Sequence, residues 1–154
     1  MPNWCMNRVV ISGSEEDIKK LKEQVSSEDS ALDFNKIVPS PDWKNIPNEK
    51  GQLPKPEELK NGNGEVIAIT HNFPDGTNDS RWYDWQIENW GTKWNASNVD
   101  VVSGGLKGSD SIEFEFDTAW SPPEPIILKL RELYPDVSIS AFFDEPGMQV
   151  SGYY

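Results

Sequence analysis

One stretch decides the fold: residues 111–143 read SIEFEFDTAWSPPEPIILKLRELYPDVSISAFF. In its first part, apolar side chains strictly alternate with acidic ones. A period of two is typical of a strand, and the contrast between its faces indicates an antiparallel sheet with one face on the core and the other in water. The two sets are Ile112, Phe114 and Phe116 on the core side, and Glu113, Glu115 and Asp117 on the other.

A helix is predicted directly after this strand. Ser121 is a suitable N-cap, and the prolines that follow it fit a first helical turn. Ile127, Leu130 and Tyr134 share one helical face, which predicts the stripe that packs on the sheet. Pro135 ends the helix, because proline cannot donate the next backbone hydrogen bond.

The C-terminal residues predict a β-hairpin. Apolar residues alternate from Val137 to Phe143, which indicates a strand. Asp144–Gly147 has turn composition, so Met148–Tyr154 is expected to return as the partner strand.

The N-terminal segment predicts a strand followed by a helix. Trp4–Ile11 carries apolar residues on both faces, which is typical of a central strand. Ser14 is the expected N-cap, and Ile18, Leu21 and Val25 form the apolar stripe of the helix behind it.

A long segment of mixed composition, at about residues 35–96, is expected to be an irregular or helical insertion. Its prolines indicate loops, with a short helix predicted to start at Pro56–Leu59. Asn61–Gly64 predicts a turn, and the β-branched residues of Glu65–Thr70 favour a strand.

An aromatic helix is predicted at the end of this insertion, over Ser80–Asn89. Tyr83, Ile87 and Trp90 fall on one helical face, and part of this aromatic content is expected to belong to the core. Gly91 fits the position after the helix, where a left-handed conformation is needed.

The predicted order of elements is β-α-(insertion)-β-β-α-β-β. The third strand is Val99–Ser103, joined to the alternating strand by the glycine-rich loop Gly104–Gly108. Without the insertion and the last strand, this is the βαββαβ order of a split βαβ, ferredoxin-like sandwich, an α+β fold with two helices on one face of an antiparallel sheet. We therefore expect a single domain over residues 1–154.

Composition limits the possible functions. The chain has a net charge of −12, which disfavours direct binding to nucleic-acid backbones or anionic membranes and is compatible with a basic protein partner. No apolar run is long enough to span a bilayer, and no signal peptide is recognised, so a cytoplasmic location is expected. With one cysteine and one histidine, neither a disulfide nor a cysteine-based zinc site is expected, and no cofactor is predicted.

Four stretches carry a resemblance to a known family: Met1–Cys5 with Asn7, Trp85–Asn95, Phe116–Pro123 and Glu145–Met148. Together they resemble the YubB-like ferredoxin-like domain family of bacterial plasmids, phages and related mobile elements. The strings NWGTKW and TAWSPP are long and rare. The resemblance implies a ferredoxin-like fold and a mobile-element setting. It implies no established activity, so no catalytic residue is carried over.

The candidate binding residues are Asn89, Trp90, Lys93, Trp94 and Trp120. The indoles of such a set can stack on a planar ligand while the lysine pairs with its anionic group. Alternatively, the tryptophans fasten the insertion onto the sandwich and the polar residues satisfy the backbone of the turn. Both interpretations remain open at the level of sequence.

Two further constellations are weaker candidates. The row formed by Glu113, Glu115 and Asp117 lies on one strand face, where a divalent metal is conceivable but a solvated sheet face is more common. Cys5 and His71 are the residue types of a cysteine–histidine nucleophile pair. Because Cys5 lies in a predicted central strand, we expect it to be a core residue rather than a nucleophile.

Three functions follow in order of preference. The first is a non-enzymatic binding module of a mobile element that acts on a protein partner. The second is a binder of a nucleotide or another planar anion at the tryptophan and lysine residues. The third is an enzyme of undetected type that uses exposed carboxylates, although no catalytic motif is visible.

Overall fold

The computed structural model describes residues 1–154, which form seven strands and three helices. In chain order these are β1 (Trp4–Ser12), α1 (Glu15–Val25), β2 (Lys55–Lys60), β3 (Val66–Asn72), α2 (Arg81–Trp90), β4 (Ser97–Gly104), β5 (Ser111–Ala119), α3 (Glu124–Leu133), β6 (Ser138–Glu145) and β7 (Val150–Tyr153). Single 3₁₀ turns occur at Phe34–Lys36 and Trp43–Asn45.

The chain divides into two compact units. The sandwich unit comprises Met1–Pro39 and Gln86–Tyr154, and the insert unit comprises Ser40–Trp85. None of the helices has the length and apolar character needed to cross a membrane.

The sandwich unit is built on a five-stranded sheet. Its strands lie in the order β4-β5-β1-β6-β7, and every neighbouring pair is antiparallel. The ferredoxin-like sandwich has the order βαββαβ. Without the insert unit and β7, the chain follows this order as β1-α1-β4-β5-α3-β6, and the order of its strands in the sheet is also that of this fold. The predicted fold class, with its extra C-terminal hairpin strand and its central β1, is confirmed.

One face of the sheet packs against both α1 and α3. Side chains from the sheet and from the two helices surround a residual cavity of only about 10 Å³. That is about the space of a single water probe, so the core has no room for a ligand. The predicted core residues Ile112, Phe114 and Phe116 are all buried there.

The two sandwich helices begin in different ways. In α1 the predicted cap is confirmed, because the Ser14 hydroxyl accepts a hydrogen bond from the backbone N–H of Asp17 at 3.1 Å. In α3 the predicted cap is wrong. The helix starts later, with Pro123 at the N-cap and no side-chain cap, because the Ser121 hydroxyl donates instead to the carbonyl of Gly91 at 2.5 Å.

The predicted stripe of α3 is confirmed for two of its three residues. Ile127 and Leu130 are buried, and so is Ile126, which the sequence pattern did not single out. Tyr134 is half-buried beyond the last helical residue, where its backbone N–H donates to the carbonyl of Leu130 at 2.9 Å.

The insert unit contains an antiparallel hairpin of β2 and β3. The strand prediction at 65–70 is confirmed, but the short helix predicted at 56–59 is wrong. The connecting turn explains the difference. The side-chain oxygen of Asn61 accepts from the backbone N–H groups of Asn63 and Glu65, and Gly64 takes a φ of +79°. This turn pairs 55–60 with β3, and the pairing overrides the helix propensity of its glutamates.

The predicted helix at 80–89 is confirmed as α2, but its predicted apolar face is not. Tyr83 and Ile87 are exposed, and only Trp90 is buried. The helical pattern therefore predicted the helix correctly. For the three residues of the predicted apolar face, it was correct only at Trp90.

Candidate functional site

Trp90 belongs to the core of the sandwich unit. It is 2% exposed, and its ring meets Phe34 edge-on at a centroid distance of 5.8 Å. Its indole N–H donates to the carbonyl of Val38 at 2.9 Å. Trp90 is therefore a core residue and, unlike the other candidate binding residues, cannot contact a ligand at the surface. Its neighbour Asn89 is half-buried at the end of the same helix.

The turn after α2 is fixed to the segment that precedes α3. Gly91 has a φ of +78°, in the left-handed region that glycine favours. Its carbonyl accepts the Ser121 hydroxyl, and the buried hydroxyl of Thr92 donates to the carbonyl of Ala119 at 2.8 Å. These bonds hold the motif NWGTKW against the motif TAWSPP, so both rare strings have a structural role.

We expect Gly91→Ala to destabilise the sandwich unit by roughly 1–3 kcal/mol. Alanine disfavours this φ, and its Cβ would lie 2.6 Å from Cδ of Pro125. The measurement is urea unfolding, compared with Gly62→Ala, where a Cβ meets no atom within 4 Å. Equal stability of the two variants would contradict the expected strain.

Two of the candidate residues come together at the surface. Trp94 is 38% exposed, and the ammonium of Lys93 lies 4.7 Å from its ring centroid. Trp94 also contacts Trp4, the first residue of β1, at a centroid distance of 6.2 Å. Trp120 is 51% exposed, and its backbone N–H donates to the carbonyl of Asn3 at 2.9 Å. Three exposed or half-buried indoles thus lie at the ends of β1 and β5, and the fold adds Trp4 to the predicted set.

These residues border the sheet face opposite α1 and α3, which we call the open face. In the register of β1 with its neighbours, Met6 lies between Asp117 and Asp144, and Arg8 lies between Glu115 and Phe142. Cross-strand neighbours of this kind contact one another directly. The open face is formed by Trp4, Met6, Arg8, Val10, Asp100, Glu113, Glu115, Asp117, Ser140, Phe142 and Asp144.

Negative charge dominates the open face. Arg8 is the only basic residue in the five strands of the sheet, and it pairs with Glu113. Asp100 and Glu115 lie directly opposite each other in the register of β4 and β5. Like charges in that position destabilise a sheet, so the fold tolerates a small cost to keep this face acidic.

Two depressions mark the open face. One of about 420 Å³ lies at the end that carries Trp4, Met6 and Asp117. The other, of about 270 Å³, lies between Arg8 and the aromatic pair Phe142 and Tyr153, whose ring centroids are 5.1 Å apart. The surface therefore offers acidic groups and apolar hollows side by side. No three His, Cys, Asp or Glu side chains of the chain are arranged to hold a metal ion.

A buried polar network lies beneath this end of the sheet. The amide of Asn7 donates to the Thr118 hydroxyl at 2.9 Å, and the Tyr154 hydroxyl donates to the Asn7 side-chain oxygen at 2.8 Å. Burial, with a smaller contribution from the charge of Glu145, raises the pKa of the Cys5 thiol to about 11. Cys5 is therefore a protonated core residue at neutral pH, which disfavours its use as a thiolate nucleophile.

Comparison with known proteins agrees with this architecture. Residues 89–154 match the family model of the ferredoxin-like domain in Api92-like protein. The matched segment contains β4 to β7 and α3, and it includes the NWGTKW and TAWSPP strings. The crystal structure of the protein Api92 from Yersinia pseudotuberculosis is similar to the chain, with a TM-score of 0.58 and 14% sequence identity. The similarity covers 99% of this chain and 93% of that one, and at this identity it concerns the fold alone. No curated protein matches the chain in sequence.

The sequence pattern missed most of the open face. It placed Trp4 and Met6 on a second buried face of β1, because apolar residues at both parities normally indicate a strand covered on both sides. A signal was present in β6, where Ser138, Ser140 and Asp144 alternate with the buried positions and indicate a wet face.

Proposed function

We propose that the chain is a non-enzymatic binding module that takes a basic protein segment on the open face of its sheet. The observation that carries this proposal is the charge of that face. Apart from the Arg8 and Glu113 pair, the carboxylates of Asp100, Glu115 and Asp144 have no basic partner. A cationic partner complements such a surface and gains specificity and association rate from it.

The apolar part of the open face supports a protein partner over a simple cation. Met6 and Tyr153 are exposed, and Phe142 lines the smaller depression. Trp94 contacts Trp4, which lines the larger one. Exposed aromatic and methionine side chains are enriched at protein interfaces, where they supply the buried anchor contacts. Arginine in a partner suits this surface best, because its guanidinium both pairs with carboxylates and stacks on aromatic rings.

The test is binding of a fluorescent peptide that alternates arginine and serine, measured by anisotropy at low and at physiological salt. The site variant is Glu115→Gln with Asp144→Asn. The matched control is Glu28→Gln with Asp29→Asn, which changes the net charge equally at two exposed positions outside the sheet. We expect the site variant to bind at least about tenfold more weakly, roughly 1.4 kcal/mol, and the control to bind within twofold of the parent chain.

A second readout separates binding from folding. Removing the like-charge contact between Asp100 and Glu115 is expected to leave stability unchanged or to raise it by a few tenths of a kcal/mol. Weaker peptide binding by a variant that is at least as stable therefore supports the site. Equal losses in the site variant and the control variant would show attraction to net charge only and would contradict the proposal.

We also propose the setting that the sequence resemblance implies, a YubB-like protein of a plasmid or phage that works in the cytoplasm. Support comes from the NWGTKW and TAWSPP strings, which lie in the segment matched by the Api92-like family model. The genes that flank the coding sequence test this proposal. Flanking genes for replication, conjugation or phage assembly are expected, and a conserved chromosomal operon would contradict it.

A further inference from the structure

The insert unit contains a pocket of about 510 Å³. This volume lies within the range of about 300–1,000 Å³ that is common for small-molecule sites. Its walls include two indoles, a lysine, the single histidine of the chain and two carboxylates, of which that of Asp79 is buried. The polar and aromatic residues of this wall that could contact a ligand include Trp43, Lys44, Thr70, His71, Asp79 and Trp82.

One wall of this pocket is held rigidly by Arg81. Its guanidinium donates to both carboxylate oxygens of Asp79, at 2.9 and 3.0 Å, and to the carbonyl of Trp43 at 3.0 Å. It also lies 5.0 Å from the ring centroid of Trp43. The indole of Trp43 and the carboxylate of Asp79 are therefore fixed before any ligand arrives, which lowers the entropy cost of binding.

The charge of the pocket differs from that of the whole chain. Arg81 neutralises Asp79. The hydrogen bond from the Arg81 guanidinium lowers the pKa of Asp79, and the charge of His71 lowers it to a smaller degree. Asp42 also lines the pocket and keeps its negative charge, although its carboxylate accepts the side-chain amide of Asn45 at 2.6 Å. Lys44 and Arg81 together therefore balance the two carboxylates of Asp42 and Asp79. Lys44 takes part in none of the ion pairs of the chain. A lysine and an imidazole are thus available to an anion.

The pocket wall also contains an unsatisfied donor. The indole nitrogen of Trp43 is buried and has no hydrogen-bond partner. Because this nitrogen is fully buried, a ligand in the pocket would meet the ring of Trp43 rather than its N–H group. Trp82 adds a second, half-buried aromatic surface to the same pocket.

We propose that this pocket binds a planar aromatic ring that carries an anionic group, a class that includes the nucleoside monophosphates. The indoles of Trp43 and Trp82 offer stacking surface for the ring, and Lys44 with His71 pairs with the anion. This site lies wholly within the insert unit and shares no residue with the open face of the sandwich unit.

The experiment is isothermal titration of the full chain with AMP, with adenosine and with inorganic phosphate. AMP is expected to bind saturably, and adenosine and phosphate each at least tenfold more weakly, because each lacks one half of the recognised group. The ring resonances of His71 provide a second reporter, since no other histidine is present. They are expected to shift on addition of AMP.

Two variants and a control complete the test. Lys44→Gln and Trp82→Leu are each expected to weaken AMP binding at least fivefold. Lys55→Gln, at an exposed position on β2, should leave AMP binding unchanged. Absence of saturable AMP binding overturns the proposal, as does equal affinity for AMP and phosphate or unchanged affinity in both pocket variants. None of these outcomes bears on peptide binding at the open face.

Discussion

Replacing Arg81 by alanine is expected to destabilise the insert unit by about 2–4 kcal/mol, somewhat less than removing one partner of a fully buried ion pair, because the Arg81 side chain is 25% exposed. The side chain of Asp79 is 4% exposed, so the substitution leaves a buried carboxylate without its cation. The carbonyls of Trp43, Ile46 and Pro47 lose the guanidinium N–H groups they accept. The ring of Phe73, 5.3 Å from the guanidinium carbon, loses a contact as well.

The measurement is hydrogen exchange, which resolves the insert unit from the sandwich unit. In Arg81→Ala, faster exchange is expected across residues 40–85. The matched control is Arg8→Ala, since Arg8 also pairs with a carboxylate but its side chain is 61% exposed. An exposed pair of this kind contributes less than about 1 kcal/mol. Similar losses in the two variants would show that Arg81 does not organise the insert unit.

The pH dependence gives this prediction a definite sign. The hydrogen bond from Arg81 lowers the pKa of Asp79 below its ordinary value of 3.8. A lowered folded-state pKa contributes stability above the unfolded pKa and loses it as the pH falls through the folded value. The stability gap between the parent chain and Arg81→Ala is therefore expected to be full near pH 7 and to shrink below about pH 4. A gap that is constant down to acid pH would contradict the ion-pair explanation.

The sandwich could be predicted because its signals are local. The alternation in β5, the cap and stripe of α1 and the glycine after α2 each depend on residues close together in sequence. Every neighbouring signal pointed to the same fold, and such consistency is what specifies a native structure. Ser121 shows the limit, because its hydroxyl bonds to Gly91, which lies 30 residues earlier in the chain.

Beyond the acidic row Glu113, Glu115 and Asp117, the two proposed sites could not be predicted, because each is assembled by pairing that the sequence does not display. Met6 acquires its two acidic neighbours, Asp117 and Asp144, only through the registers of β1 with β5 and β6. The pocket in the insert unit depends on Arg81, which bridges Asp79 to carbonyls more than 30 residues away. Sequence motifs directed attention to the rare tryptophan strings, and these proved to hold two segments of the backbone together.

Trp90→Ala is expected to destabilise the sandwich unit by about 3–5 kcal/mol, as is typical for a buried aromatic residue. The substitution removes an almost fully buried indole, its edge-on contact with Phe34 and its hydrogen bond to the carbonyl of Val38. Phe34 also meets Phe116 edge-on at 6.1 Å, so the cavity opens next to the central part of the sheet. Urea unfolding followed by far-UV circular dichroism measures the loss.

Trp94→Ala is the matched comparison, because both tryptophans belong to the same motif. Trp94 keeps 38% of its surface exposed and contacts Trp4 through one tilted ring pair. An aromatic pair of this kind contributes about 0.5–1.5 kcal/mol beyond the area it buries, and the covered part of the indole adds to this, so the loss is expected to exceed that range but to stay below that of Trp90→Ala. The difference between the two variants separates the structural part of the motif from the part available to a partner. An equal loss of stability in Trp94→Ala and Trp90→Ala would show that Trp94 is a core residue. Trp94 would then not belong to the border of the open face.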